Sequence, residues 1–248
     1  MLLGDLRDYN ASLLQTGLFK DHCPNGIQVE GRADILRIAT GVTASQHVLD
    51  AAIEWGADAV LVHHGYFWRN EDAAITGIKK RRIAQLLRND VSLLAYHLPL
   101  DAHPELGNNA LLGKLLGLAA QDRFGEQNIV WMGSLEQPGT LAQLARQIAD
   151  KLQRAPQVIG GGAGIIRRVA WCSGGAQGYF EAAIARGADA YITGEISEQN
   201  FHLAQESGVA FIAAGHHATE RLGIRALGEH LSAHFGLAHR FFDQDNPV

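Results

Sequence analysis

Short apolar runs alternate with helical spacings along the chain. ILRIATGV (35–42), VLV (60–62) and VSLLAYH (91–97) are such runs in its first part. IIRRVAWC (165–172), YIT (191–193) and VAFIAAGHH (209–217) are their counterparts later on. Runs of this length read as strands, and the stretches between them as helices. The spacing predicts a helix that carries Ala51, Ala52 and Ile53 and is capped by Gly56, because glycine adopts the left-handed cap conformation cheaply. Further helices are predicted near 79–89 and 198–207, and over PGTLAQLARQIADKL with Thr140 as N-cap. The N-terminal segment reads as a short amphipathic helix with Leu2, Leu3, Leu6, Leu13 and Leu14 as its apolar positions.

The pattern repeats. Residues 46–59, QHVLDAAIEWGADA, and 177–190, QGYFEAAIARGADA, align at a constant offset of 131 with eight identities in 14 positions. Each copy follows one apolar run and precedes another. Strand, helix, glycine turn and strand make a right-handed βαβ unit in a parallel sheet. The expected fold is therefore α/β, with two similar βαβ-type halves from an internal duplication. The N-terminal half with its leading helix covers 1–118, a connecting segment 119–164, and the C-terminal half 165–248. The glycine run IGGGAGI (159–165) lacks the spacing of a nucleotide-binding loop and reads as a flexible connection. KKRR (79–82) reads as a solvated helix face rather than a nucleic-acid patch.

Composition narrows the class. Of 248 residues, 47% are hydrophobic and 19% charged, which excludes disorder as the main state. A net charge of −5 gives no general grip on duplex nucleic acid. No apolar stretch is long enough to span a membrane, and the N-terminus does not read as a signal peptide. Cys23 and Cys172 form no framework, which suits a reducing, cytoplasmic compartment.

Twelve histidines are the one unusual count, and several fall at strand ends. Ligands of parallel α/β sheets bind beyond the carboxyl ends of the strands. One predicted strand ends in His63-His64-Gly65, the next in His97 with Asp101 just beyond. In the second half the ends deliver Gly194-Glu195 and His216-His217, with Glu220 shortly after. His216 and Glu220 are i and i+4, so a helix opening near 216 places both on one face. His63 and His64 converge only if their strand ends there; otherwise they serve two ions. This donor set is too rich for one tetrahedral zinc and suits two ions bridged by a carboxylate and a water. His22, His47, His202, His230, His234 and His239 lack such neighbours and read as surface histidines, and His103 stays outside the ligand set.

The stretches 41–68, 97–118 and 187–227, with the HHG, LPLDAH and GHHATE motifs, closely resemble the GTP cyclohydrolase I type 2 homologue family. These are the NIF-three-like dinuclear metal proteins, and the likeness is nearest the bacterial YbgI type. CPNGIQVEG (23–31) is similar to the family's early motif, and only 119–164 matches weakly. The resemblance implies two metals, shared by the two halves and held by His63, His64, Asp101, His216 and Glu220. It also implies a homohexameric toroid with inward-facing sites. Its members have been described as cyclohydrolase-like, as hydrolases or as regulatory partners.

Two cations clamping a water are equipment for hydrolysis of a nucleotide or another phosphorylated small molecule. The alternative is a non-catalytic metal-binding or regulatory protein. Proton transfer needs a further group. Glu195 is the first candidate, because the repeat places it where His64 stands; His97 is the second. Either could instead orient a metal-bound imidazole, and that role suits His97 better. The set contains no cysteine, which disfavours soft ions and leaves zinc, manganese, iron, cobalt and nickel open. Tyr66, Phe67 and Trp68 could stack a base, but core packing accounts for them more simply.

Overall fold

The computed structural model describes residues 1–162 and 164–248. Ala163, inside the glycine run 159–165, lies outside the described residues. In chain order the elements are α1 (Leu3–Leu13), β1 (Gly26–Val29), β2 (Arg37–Thr43), α2 (Gln46–Trp55), β3 (Ala59–His64), α3 (Gly77–Arg88), β4 (Ser92–Ala95), α4 (Leu98–Ala102) and α5 (Asn108–Leu115). They continue with β5 (Leu118–Phe124), β6 (Val130–Thr140), α6 (Leu141–Leu152), β7 (Gln157–Ile159), β8 (Ile165–Trp171), α7 (Phe180–Ala185) and β9 (Ala190–Thr193). The chain closes with α8 (Glu198–Ser207), β10 (Ala210–Ala213), α9 (His216–Phe235) and β11 (Ala238–Phe241).

Backbone packing divides the chain into two compact units. The first is Met1–Leu100 with Gly223–Asp245, and the second is Asp101–Leu222 with Asn246–Val248. These units do not follow chain order as the halves 1–118 and 165–248 do. Segment 119–164 supplies β6, α6, β7 and most of β5 to the second unit, while β11 completes the sheet of the first.

Among the described residues, the first sheet has the order β1-β4-β3-β2-β11 and the second β5-β6-β8-β9-β10-β7. Within them, β2-β3-β4 and β8-β9-β10 are the same parallel arrangement. The outer neighbours correspond as well: β1 runs antiparallel to β4, and β7 antiparallel to β10. The register is shared to the residue. Ile38 faces Ala59 in the first sheet and Val169 faces Ala190 in the second, each pair 131 positions from its counterpart.

The chemistry of the repeated Gly-Ala-Asp explains this match. Gly56 closes α2 in the left-handed conformation at φ 78°, and Gly187 follows α7 at φ 74°. Asp58 Oδ2 then accepts the Leu36 and Arg37 N–H groups at 2.9 and 2.8 Å. Asp189 Oδ2 does the same for Arg167 and Arg168 at 2.8 Å each. The carboxylate satisfies donors of the incoming strand that no ladder reaches, and so ties the helix exit to the strand entry. Ser45 caps α2 by accepting the Val48 N–H, and Thr140 with Gln143 forms a capping box on α6.

Each sheet buries its own apolar side chains. In the first unit Ile38, Leu61, Leu94 and Tyr96 pack with Leu6 of α1 and Ile224, Leu227 and Leu231 of α9 on one face. Val48, Leu49, Val60, Ile83 and Leu86 fill the other. In the second, Leu144, Ile148 and Leu152 of α6 pack with Trp171, Ile192 and Ile212. Leu2, read from the sequence as apolar-face, is 52% exposed, because the buried stripe of α1 begins at Leu3. His239 is not a surface histidine: it is half-buried on β11, bonds Thr40 Oγ1 at 2.8 Å and packs against Gly228. His230 is also half-buried, its Nε2 2.7 Å from the Tyr9 hydroxyl. Gly160 and Gly161 have φ of 66° and 82°, and a Cβ on them would press on Ala204 and Leu141. Both backbone conformation and packing therefore require glycine there. Among the described residues no helix is long and apolar enough to cross a membrane.

Candidate metal centre

In the first unit, β3 ends on His63 and His64, and the chain leaving β4 delivers His97. The ligand atoms of these three histidines lie within 4.8 Å of one another. The rings of His63 and His64 are 4.6 Å apart, so the two neighbours converge at their strand end. His63 is fully buried, and its Nδ1 lies 2.9 Å from the Tyr96 carbonyl oxygen. A carbonyl only accepts, so His63 carries its proton on Nδ1 and would present Nε2 to an ion. His64 Nδ1 is 3.3 Å from Thr43 Oγ1.

His97 is held differently. Its Nδ1 lies 2.7 Å from Asp21 Oδ1, and its backbone N–H donates to Asn25 Oδ1 at 2.8 Å. Asp21 also accepts from the His22 and Leu98 N–H groups and from Asn25 Nδ2. Burial alone would raise the Asp21 carboxyl, but the bonds from His97, Asn25 and His22 outweigh it and hold it at about 2. Cys23 sits beside this pair, its thiol pushed up to about 12 by burial and by the Asp21 charge.

In the second unit, α9 opens at His216, and the His216 Nε2 and Glu220 Oε2 atoms are 3.2 Å apart across one helical turn. His216 Nδ1 lies 2.7 Å from Glu195 Oε1, at the end of β9. Burial lowers the His216 value, but bonding and charge from Glu220 and Glu195 raise it further, to about 9. The imidazole thus holds a proton between two carboxylates, at the position where a divalent cation would compensate Glu220 instead. Glu195 stands in the relation that carboxylates take to metal-bound histidines. Asp101 is buried, and its Oδ1 accepts from Asn108 Nδ2 at 2.8 Å and Ser173 Oγ at 3.1 Å. Nitrogen and carboxylate donors anchored at their far atoms, with no thiolate, fit borderline to hard divalent ions.

Glycine makes room for this second set. Gly194 occupies the position equivalent to His63, and a Cβ there would lie 2.6 Å from the Gly174 oxygen and the His216 Cα. Gly174, at φ 65°, runs its backbone directly against the Glu220 carboxylate.

The unit-level geometry therefore brings His63, His64 and His97 together, and His216, Glu220 and Glu195 together. Asp101 joins a network with Ser173, Asn108 and Asn109, whose Oδ1 accepts the Ser173 N–H at 2.8 Å. Sequence reasoning missed Asp21, Asn25, Asn108 and Ser173. His103 Nδ1 accepts the Glu105 and Leu106 N–H groups, a local turn. Tyr66 is core, its hydroxyl donating to the Ala44 carbonyl. Trp68 is only half-buried and lies 5.0 Å from the His97 ring and 5.9 Å from His64. The basic run is not one solvated face: Lys79 pairs with Glu71 at 3.3 Å and lies over Phe67.

Residues 1–247 match the family described as Duf34/NIF3 (NGG1p interacting factor 3). The chain is 58% identical over 248 residues to a Neisseria meningitidis serogroup B protein named GTP cyclohydrolase 1 type 2 homolog, covering 100% of both. An Escherichia coli protein of the same name is 50% identical over 236 residues, covering 95% of both chains. Among solved structures, protein ybgI, of unknown function, matches with a TM-score of 0.97 at 48% identity over 100% of both chains. TTHA1606 from Thermus thermophilus matches with a TM-score of 0.91 at 32% identity, again over 100% of both. The chain thus belongs to the Duf34/NIF3 family.

Proposed function

We propose that this protein is a dinuclear-metal-dependent hydrolase acting on a nucleotide or another phosphorylated small molecule, in the manner that the relatives' name, GTP cyclohydrolase 1 type 2 homolog, suggests. The ligands are His63, His64, Asp101, His216 and Glu220, with Glu220 as the bridge. One observation carries this reading: the atoms that would face away from an ion are already anchored. His63 Nδ1 is held by Tyr96, His64 Nδ1 by Thr43, His216 Nδ1 by Glu195, and Asp101 Oδ1 by Asn108 and Ser173. Buried polar groups take partners in any case, but here each bond lies on a ring nitrogen or carboxylate oxygen of a proposed ligand, the arrangement that orients metal-bound imidazoles and carboxylates.

Two bound cations would acidify a water and neutralise charge developing on a phosphoryl or ring oxygen. Around them, this chain's residues orient and hold protons. Glu195 fixes the His216 ring and keeps the Nδ1 proton in place. Asn108 and Ser173 fix the Asp101 carboxylate. Trp68 offers an edge beside His64 and His97 against which a planar base could rest.

The protein assembles with itself, in our reading as a hexameric ring whose pore admits small molecules but no duplex. Leu18 and Leu36 are 74% and 69% exposed and would gain cover in such a ring. Both cysteines are free and buried, in keeping with a reducing compartment such as the cytoplasm.

The test is elemental analysis followed by a reconstitution screen. Protein loaded in turn with zinc, manganese, iron, cobalt and nickel binds about two ions per chain, and Glu220→Ala loses more than one. Screening those forms over nucleotides and phosphodiesters yields turnover with at least one metal. One ion or none in fully loaded wild type overturns the dinuclear centre. Two ions without turnover on any substrate favours a regulatory, non-catalytic protein.

A further inference from the structure

His97 poses a question that the ligand set leaves open. It lies in the His63–His64 cluster, with ring centroids 5.1 and 5.7 Å from theirs. The Nδ1 atoms of those two rings already have partners in Thr43 and Tyr96, so it is not His97 that holds them there. Its own Nδ1 points the other way, into a carboxylate. We propose that Asp21 and Asn25 are positioning residues that lock His97 as the Nδ1–H tautomer, so that its Nε2 lone pair faces the His63–His64 side as the hydrogen-bond acceptor that orients the attacking water.

The clamp has several independent parts. The Asp21 carboxylate has no hydrogen to give, so the 2.7 Å contact requires the proton on His97 Nδ1. The other Asp21 oxygen accepts from Leu98 N–H at 2.9 Å and Asn25 Nδ2 at 2.8 Å, which fixes the carboxylate plane. Asn25 Oδ1 takes the His97 backbone N–H at 2.8 Å, so one short loop grips the residue by main chain and ring together. Trp68 packs edge-on against the ring at 5.0 Å, so a flip meets the indole. The segment carrying Trp68 is in turn pinned to the Asp21 loop: Arg69 N–H donates to the His22 carbonyl at 2.6 Å, and its Nη2 to the Asp21 carbonyl at 2.9 Å. Phe67 and Asn70 hold left-handed backbone, at φ 64° and 71°, to make that reach. Strain retained beside a cluster of this kind is characteristic of sites that must keep a fixed geometry.

An imidazole with Nδ1–H committed to a buried carboxylate cannot donate from Nε2 while neutral, and therefore accepts there. An acceptor at that place would take an O–H from a water or hydroxide and so orient it, and divalent ions held by the neighbouring ligands would supply the acidity. This assignment rests on the metal-dependent hydrolase reading for its purpose, but its geometry belongs to the first unit alone.

The experiment uses full-length protein labelled with 15N-histidine, metal-free and loaded with zinc, at pH 8. Two-bond proton–nitrogen spectra report which nitrogen of His97 carries hydrogen. The expected pattern is a pyridine-type Nε2 in both states of wild type. Asp21→Asn, whose amide offers a donor, shifts the population toward Nε2–H. A pyrrole-type Nε2 in wild type, no change in Asp21→Asn, or a zinc-bound Nε2 shift for His97 each overturns the proposal. The wild-type spectrum alone decides the first and third of these, so the test survives a variant that folds poorly. Zinc content is measured on the same samples. If wild type binds none, the dinuclear reading fails while the tautomer result still stands.

Discussion

The two parallel cores, β2-β3-β4 and β8-β9-β10, share strand order, register and the aspartate clamp, yet their strand ends carry different chemistry. Where β3 ends in His63-His64, β9 runs into Gly194-Glu195. Where β4 leads into His97, β10 leads into Gly215, at φ 101°. The first core keeps its imidazoles on strand ends. The second gives up side chains there and lets the first turn of α9 bring His216 and Glu220 in beside glycines. The same scaffold packs alike in both cores while its strand ends carry different side chains. Glu195 illustrates the division: it answers His64 in the repeat, but it grips a histidine rather than standing where a ligand would.

The largest effect expected from breaking this comparison is at Gly194. A Cβ would meet the Gly174 oxygen and the His216 backbone, neither of which is a movable side-chain tip. Gly194→Ala should cost about 3 kcal/mol and lower metal occupancy by displacing His216. Gly178→Ala, with nothing within 4 Å of its Cβ, is the control and should leave both unchanged. Urea unfolding and elemental analysis of the two variants give the answer, and a neutral Gly194→Ala would mean that the second core does not need its glycine.

Next come the paired aspartates. Asp58 accepts two backbone N–H groups and Arg32 Nη1, while Asp189 accepts the two equivalent N–H groups. Removing either carboxylate leaves strand donors unsatisfied, so Asp58→Ala should cost about 3 kcal/mol and Asp189→Ala about 2. Denaturant midpoints decide it. A large effect at one site and none at the other would show that the clamp is structural in only one copy.

The repeat was legible because 14 ungapped positions preserve a helix face and a glycine turn together. The i, i+4 pair His216 and Glu220 was legible because helical geometry alone places it. Asp21 was not, because it lies 76 residues from His97 in an irregular loop whose contacts have no period. Asn108 and Ser173 escaped for the same reason, being 65 residues apart and joined through Asp101. His239 was misread because AHRF is too short to announce a strand, and its partner β2 lies some two hundred residues earlier. Roles were harder still. The repeat made Glu195 the first proton-transfer candidate with His97 second, but it could not say which atoms their neighbours offer, here His216 Nδ1 to Glu195 and Asp21 Oδ1 to His97 Nδ1.

The clamp on His97 sets the first core apart, and pH isolates it. Asp21 is held at about 2 in the folded chain, against about 3.9 for an unperturbed aspartate. A depressed carboxyl stabilises the fold fully above the unfolded value and loses that contribution as pH falls through the folded one. In metal-free protein the stability gap between wild type and Asp21→Asn should therefore be about 2 kcal/mol at pH 6 and shrink steadily between pH 4 and pH 2. Urea midpoints at a series of pH values measure it, and a gap that stays constant would mean that the bonds to Asp21 do not favour its charged form.

The smallest effect concerns the turn that leads into each repeat helix. In the first core Ser45 accepts the Val48 N–H and donates from its hydroxyl to Gln244 Oε1 at 2.8 Å. The equivalent residue in the second is Ala176, which has no side-chain acceptor, and the chain enters α7 through a 3-10 turn at Gln177–Tyr179. There the Tyr179 N–H, the counterpart of Val48, goes to the Ala176 carbonyl at 3.1 Å, while the Ala176 N–H itself donates to Thr193 Oγ1 of the neighbouring strand at 3.2 Å. The second core thus replaces the side-chain cap with a backbone turn, and Thr193 holds the start of that turn next to the Gly174-Gly175 backbone, which lies against Glu220 and Glu195. Ser45→Ala should cost about 1 kcal/mol, the ordinary value of a lost cap, and leave metal content unchanged. Thr193→Val, which removes that hold in the second core, should cost a similar amount but also lower metal affinity, because the Gly174 carbonyl accepts from that same hydroxyl at 3.0 Å. Chelator titration beside denaturant unfolding separates the two. Equal metal affinity in both variants would mean that the glycine turn holds its place without Thr193, and that the cores differ at this point in capping alone.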